Sequence, residues 1–156
     1  MDDAEITARL SELGIELPPP PTAVAAYVPV RIAGTTAHVA GQVPMQDGLL
    51  MYPGHLGRNV AVGEGQAAAR QAALQALSAL RDALGGFERL EGIAQVTAYI
   101  ASTPDFIDHP TVANGASEVL AEVLGEAGTH ARAAVGLASL PLGASVEVQV
   151  TAQLTG

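Results

Sequence analysis

The stretch from residue 146 to 155, VEVQVTAQLT, alternates without interruption. Val146, Val148, Val150, Ala152 and Leu154 fall on one side, and Glu147, Gln149, Thr151, Gln153 and Thr155 on the other. A strict period of two is the mark of an extended strand with one apolar and one polar face. It rules out an all-helical fold and demands a second layer to cover the apolar face. The polar face must meet either water or a partner subunit. Just upstream, residues 130–137 read as another strand, and Leu140-Pro141-Leu142-Gly143 reads as a turn, so the two strands are predicted to pair as a closing hairpin.

The rest of the chain supplies the covering layer. Residues 3–13 place Ile6, Leu10 and Leu13 at helical spacing, and Pro18–Pro21 ends that helix as a stiff connector. Residues 24–32 and 36–42 are rich in β-formers and read as a hairpin turning at Ala33-Gly34-Thr35. Residues 43–62, with Pro44, Gly48, Pro53, Gly54 and Gly57, read as a long loop holding one short strand near Leu49–Met51. A loop of that length in a compact domain is more often functional than accidental. Residues 64–84 form the clearest helix, with Ala69, Ala73, Leu77, Leu80 and Leu84 on one stripe and Gly85-Gly86 at its end. A half-buried strand follows over 92–101, with Ala94, Val96, Ala98 and Ile100 inward. A helix over 110–124 buries Val112, Ala116, Val119, Leu120 and Val123. The order predicts a single α+β domain, a mostly antiparallel sheet with two helices packed on one face. Residues 1–21 form an N-terminal helix and Pro-rich connector, and 22–156 the domain proper.

Composition narrows the chemistry. At 156 residues, 49% hydrophobic and 15% charged, the chain is one globular domain, and with 3% aromatic residues and no tryptophan its core is built from Ala, Val, Leu and Ile. So apolar a small chain is expected to cover part of its surface by oligomerising. A net charge of −9 repels phosphate backbones and disfavours nucleic acid. No cysteine is present, and all 7 basic residues are arginine. Thiolate nucleophiles, zinc–sulfur sites, Schiff-base lysines and Walker lysines are therefore excluded. No apolar run is long enough for a membrane helix. The acidic start Met-Asp-Asp-Ala-Glu is the opposite of a signal n-region, so a cytoplasmic location is expected.

Few residue patterns carry chemistry. VAVGEGQA at 60–67 echoes the Gly-rich turn of dinucleotide-binding folds, but the strand before it is short and no acid follows at the required distance, so a flexible lead into the helix is the better reading. His38, His55, His109 and His130 show no metal-ligand spacing and read as ordinary surface or hydrogen-bonded residues; neither a metal nor a cofactor is expected. No Gly-x-Ser-x-Gly elbow marks a nucleophile. Arg132 is more informative. It shares strand parity with Ala134 and Gly136, whose small size leaves space for a ligand, and its fork suits a carboxylate. In a closing hairpin it shares a face with Glu147, which leaves open a plain structural Arg–Glu pair or two separate surface charges.

Ala131-Arg132, Leu140-Pro141 and Val146-Glu147-Val148 together resemble the C-terminal signature of the RidA/YjgF family, also called L-PSP-like. Upstream, Tyr27 at the start of a strand and Gly41-Gln42-Val43-Pro44 stand at the family's spacing, and Asn114 precedes the helix leading to Arg132 with a one-residue insertion. The resemblance runs from about residue 22 onward. It implies a chorismate-mutase-like (RidA-like) fold and a homotrimer with sites in its intersubunit clefts. The implied reaction is hydrolysis of reactive 2-imino or enamino acids to 2-keto acids and ammonia. By position Arg132 would hold the substrate carboxylate, Glu147 would position or activate water, and Tyr27, Asn114 and the backbone near Gly41 would shape the pocket. Imine hydrolysis needs neither cofactor nor covalent nucleophile, because the iminium carbon is already electrophilic. Ala134 replaces a frequent cysteine and Ala40 a serine, which marks a divergent branch. A non-catalytic trimer binding small carboxylates in the same cleft is the alternative; nucleic-acid and membrane partners are not expected.

Overall fold

A computed structural model describes residues 2–22 and 26–156. Its helices are α1 (Asp3–Glu12), α2 (Val62–Leu84) and α3 (His109–Leu124). The strands are β1 (Val30–Ala33), β2 (Thr36–Gln42), β3 (Met45–Gln46), β4 (Leu49–Leu50), β5 (Leu90–Ala101), β6 (Ala131–Leu137) and β7 (Val146–Leu154). Five strands form one sheet in the order β1-β2-β7-β5-β6, antiparallel except for the β5–β6 pair. The α+β class and the one covered sheet face are as the sequence predicts. The covering layer has three helices: Ile6 and Leu10 bury α1 in the same core as α2 and α3.

The closing hairpin does not form. β5 lies between β6 and β7, parallel to the first and antiparallel to the second. The eight residues from 138 to 145 are long enough to cross β5, whose Ala101 N–H donates to Ser145 O at 2.9 Å. Local turn residues signal a reversal of direction, but they do not report a third strand inserted between the two.

Other boundaries move for local reasons. Residues 24 and 25 of the strand expected over 24–32 lie outside the described residues. Tyr27 precedes β1 instead of starting it. The loop over 43–62 holds a two-stranded hairpin, β3–β4, turned at Asp47-Gly48 with φ of 51° and 77°, the left-handed pair such a tight turn requires. The helix predicted over 64–84 starts at Val62, so Gly63 and Gly65 of the GEG stretch belong to its first turns. Within β5 a register shift between Ile93 and Gln95 buries Ile93 and turns Ala94 outward, against the simple alternation. Asn114 sits inside α3, not ahead of it.

Small residues set the spacing of the helical layer. A Cβ on Gly115 of α3 would collide with the Gln66 backbone carbonyl of α2, so the two helices touch backbone to backbone. Ala68, Ala69, Ala72, Ala73 and Ala76 of α2 are fully buried. The proline-rich connector lies over the outer side of α2, where Ser78 donates to Pro18 O. Gly115→Ala is therefore expected to destabilise the fold by about 1–3 kcal/mol through overpacking, despite the better helix propensity of alanine. Gly63→Ala, where a Cβ meets open space, is expected to stabilise by about 0.4–1 kcal/mol. Urea denaturation of both variants reads the opposite signs.

Candidate active site in two halves

The first half is built by a bulge. In the β2–β7 ladder Val39 opposes Val150 and Gln42 opposes Val148, so β2 carries an extra residue around Ala40-Gly41. Gln42 Nε2 donates to Ala40 O at 2.8 Å and pins it. A Cβ on Gly41 would strike the Glu147 carboxylate, so this carboxylate rests directly against the glycine backbone. Around it is a cavity of about 450 Å³ whose walls include Tyr27, Pro29, Val43, Met45 and Leu142. Glu147 is the one charged residue lining it, and among the described residues its carboxylate makes no hydrogen bond or ion pair. Burial pushes its pKa above the usual carboxylate range. Leu142 is held at φ 63°, a conformation costly for leucine, with its side chain 78% exposed at the mouth.

The second half lies at the edge strand. Arg132 on β6 points to the helical side of the sheet, since its ladder partner Val96 is a core residue. Its Nη1 donates to Asn114 Oδ1 at 2.8 Å and to Ser117 Oγ at 3.1 Å. Its Nη2 donates to Pro110 O at 3.4 Å. All three acceptors are neutral, whereas Arg9, Arg70 and Arg81 have carboxylate partners. Ser117 also reaches His130 Nε2 at 2.9 Å, and His130 Nδ1 reaches Gly128 O at 2.6 Å.

Within one chain the halves stay apart. Glu147 opposes Tyr99 and faces the open side of the sheet; Arg132 opposes Val96 and faces the helices. Two strand spacings and three residue rises separate them, roughly 14 Å in the sheet plane alone. A structural Arg132–Glu147 pair within one subunit is thereby overturned. So is the expectation that both share a face. The space above Gly136 is also taken, because a Cβ there would meet His109 Nε2 and Ser102 Oγ. Tyr27, Gly41 and Glu147 thus come together in one half, Asn114 and Arg132 in the other. Ser117, His130 and Leu142 were not singled out from sequence. The signal available for Ser117 was its place one helical turn after Asn114, and for His130 its place two residues before Arg132.

The remaining histidines are hydrogen-bonded or exposed. His55 contacts Ala138 O at 2.7 Å, His109 contacts Ser102 Oγ at 3.1 Å, and His38 is exposed on the open sheet face. Two larger cavities of about 560 and 540 Å³ lie under the proline connector. The arginine of the first, Arg81, is already paired with Asp3. No helix among the described residues is long and apolar enough to cross a membrane.

A five-stranded sheet with three helices packed on one face makes this a single-domain α+β protein. The chain belongs to the YjgF family: residues 7–154 match the family model described as "YjgF/chorismate_mutase-like, putative endoribonuclease". Among its relatives, Protein TCP17 of Trypanosoma cruzi is 42% identical over 150 residues, covering 96% of this chain and 94% of TCP17. The crystal structure of Atu1372 from Agrobacterium tumefaciens, a protein of unknown function, is 41% identical with a TM-score of 0.91, covering 98% of this chain and 94% of that one. A Shewanella oneidensis structure is 36% identical with a TM-score of 0.92, covering 96% and 99%.

Because burial raises the folded-state pKa of Glu147, the stability linked to its proton is fully present below the unfolded pKa and lost as pH rises through the folded one. Glu147→Gln carries no charge to desolvate. It is expected to melt higher than the wild type at neutral pH, and the gap should close in acid. Scanning calorimetry across that range measures it.

Proposed function

We propose that this protein hydrolyses reactive 2-imino and enamino acids to 2-keto acids and ammonia, in clefts between the subunits of a homotrimer. Family membership supports a RidA-like function in general. The observation that carries the finer reading is the split site: an oriented, unneutralised arginine on an edge strand, and a half-buried, unpartnered glutamate on the open sheet face. Neither half suffices alone. A ring of three copies can set the Arg132 half of one subunit against the Glu147 half of the next through a heterologous interface. The exposed Val135 and Leu137 on the open side of edge strand β6 give that interface apolar area to bury.

In such a cleft Arg132 binds the substrate carboxylate and aims the iminium carbon at water. Glu147 takes a proton from that water as its oxygen bonds to the carbon, giving a carbinolamine. Glu147 returns its proton to the amine nitrogen; the C–N bond then breaks as the hydroxyl gives its proton to Glu147, and ammonia leaves with a C=O in place of the C=N. The apolar cavity walls receive the substrate side chain. With Glu147 the one charge among them, an acidic side chain is repelled. A phosphodiester substrate fits poorly, because the charge is −9 and Arg9, Arg70 and Arg81 are held in ion pairs.

Imino acids generated in situ from amino acids supply the test, with 2-keto acid release as the readout. Arg132→Ala and Glu147→Gln are each expected to lower kcat/KM by about 10²–10⁴-fold while the trimer persists in sedimentation. The wild-type acid limb should lie above the usual carboxylate range, since the base form of Glu147 is required and burial raises its pKa. Imines with aliphatic or aromatic side chains should be consumed faster than one bearing a second carboxylate. No acceleration over buffer rejects the enzyme reading; tight carboxylate binding without turnover then establishes the non-catalytic binder.

A further inference from the structure

We infer that Ser117 and His130 are positioning residues that hold Arg132 as a carboxylate receptor without neutralising it, leaving its Nε/Nη2 edge for the ligand. This rests on the reading of Arg132 as the carboxylate anchor.

The Gly128 carbonyl at the far end of the hydrogen-bond chain fixes where the His130 ring carries a proton. The Gly128 carbonyl can only accept, so His130 Nδ1, 2.6 Å away, carries the proton. With a single ring proton, on Nδ1, Nε2 is the acceptor facing Ser117 Oγ at 2.9 Å, and the Ser117 hydroxyl donates to it. That turns the lone pairs of Ser117 toward Arg132 Nη1 at 3.1 Å. Without His130 the Ser117 hydroxyl loses the acceptor that holds it in the rotamer reaching Arg132. His130 therefore acts on Arg132 only through Ser117.

The donor inventory of Arg132 then fixes the ligand edge. Asn114 Oδ1 and Ser117 Oγ occupy both N–H groups of Nη1, and Pro110 O takes one from Nη2. Among the described residues Nε–H and one Nη2–H are left without an acceptor, two donors on neighbouring nitrogens for the oxygens of one carboxylate. A carboxylate in place of Asn114 or Ser117 would orient the fork equally well but cancel its charge. Three neutral acceptors remove rotamer freedom before the ligand arrives and keep the full charge for it.

The experiment uses the full-length protein and pyruvate as the carboxylate probe, titrated by calorimetry, with imine turnover and thermal melting in parallel. Ser117→Ala and His130→Leu are expected to weaken pyruvate binding about 10-fold, the scale of one hydrogen bond to a charged group, and to raise KM by a similar factor with kcat nearly unchanged. His130→Gln, which places a carbonyl oxygen near the Nε2 position, should recover most of the affinity. If Ser117→Ala folds poorly, Ser117→Cys, with a weak acceptor of similar size, carries the same expectation. Unchanged affinity in the Ser117 and His130→Leu variants, or equal losses for His130→Leu and His130→Gln, overturns the inference. So does pyruvate binding that is insensitive to Arg132→Ala, or its absence in the wild type. Wild-type binding through Arg132 without imine turnover rejects the proposed reaction and leaves the positioning role standing; turnover with KM unmoved in Ser117→Ala does the reverse.

Discussion

The hydrogen-bond ladders on the two sides of β5 order the rest of the molecule, because they join it to two strands that follow it in the chain and run in opposite directions. One ladder sets Val96 beside Arg132, and the other sets Tyr99 beside Glu147. Since neighbours in register point to the same side, the two charged residues are sent to opposite faces of the sheet. Val96, Ala98 and Ile100 are fully buried beneath the helices, and each larger side chain contributes about 1.5–3 kcal/mol by leaving water. Reversing the face of either charged residue would require slipping a whole strand by one position, which would expose this row. The separation of the half-sites is thus secured by the core itself.

The helices refine what the sheet places. Backbone contact between α2 and α3 at Gly115 holds α3 close against α2, and Asn114 and Ser117, one turn apart on α3, both reach Arg132. The connector is tied to α2 where Ser78 donates to Pro18 O. The Arg132 half is therefore mounted on rigid elements. The Glu147 half is looser in origin, since Tyr27 and Leu142 come from chain segments outside the regular strands. A firm charge anchor and a more adaptable apolar wall suit the reaction proposed above, with its constant carboxylate and variable side chain.

The two halves also differ in electrostatics. Arg132 is exposed and hydrogen-bonded to neutral groups, so its charge reaches outward. Glu147 sits in an apolar cavity that raises its pKa and its readiness to hold a proton. In the proposed reaction the first group binds the substrate carboxylate and the second exchanges protons with water.

Much of this was legible in the residues. The alternation of residues 146–155, the alanine-leucine stripe of α2 and the apolar positions of α3 each bury the predicted side chains, because period and burial are properties of a single segment. Arg132 and Glu147 stood out as charges in otherwise apolar or neutral strands. The bulge at Gly41, the shift at Ile93, and the chain from Gly128 through His130 and Ser117 to Arg132 left no periodic trace, since each depends on partners distant in sequence. The sequence alone determined which segments are strands and helices, which face of each is apolar, and which charges are scarce enough to matter. Only the tertiary structure decided which strands are neighbours, and with that the opposite facing of Arg132 and Glu147. Strand order is chosen by the packing of the whole sheet beneath its helices, and no local turn encodes it.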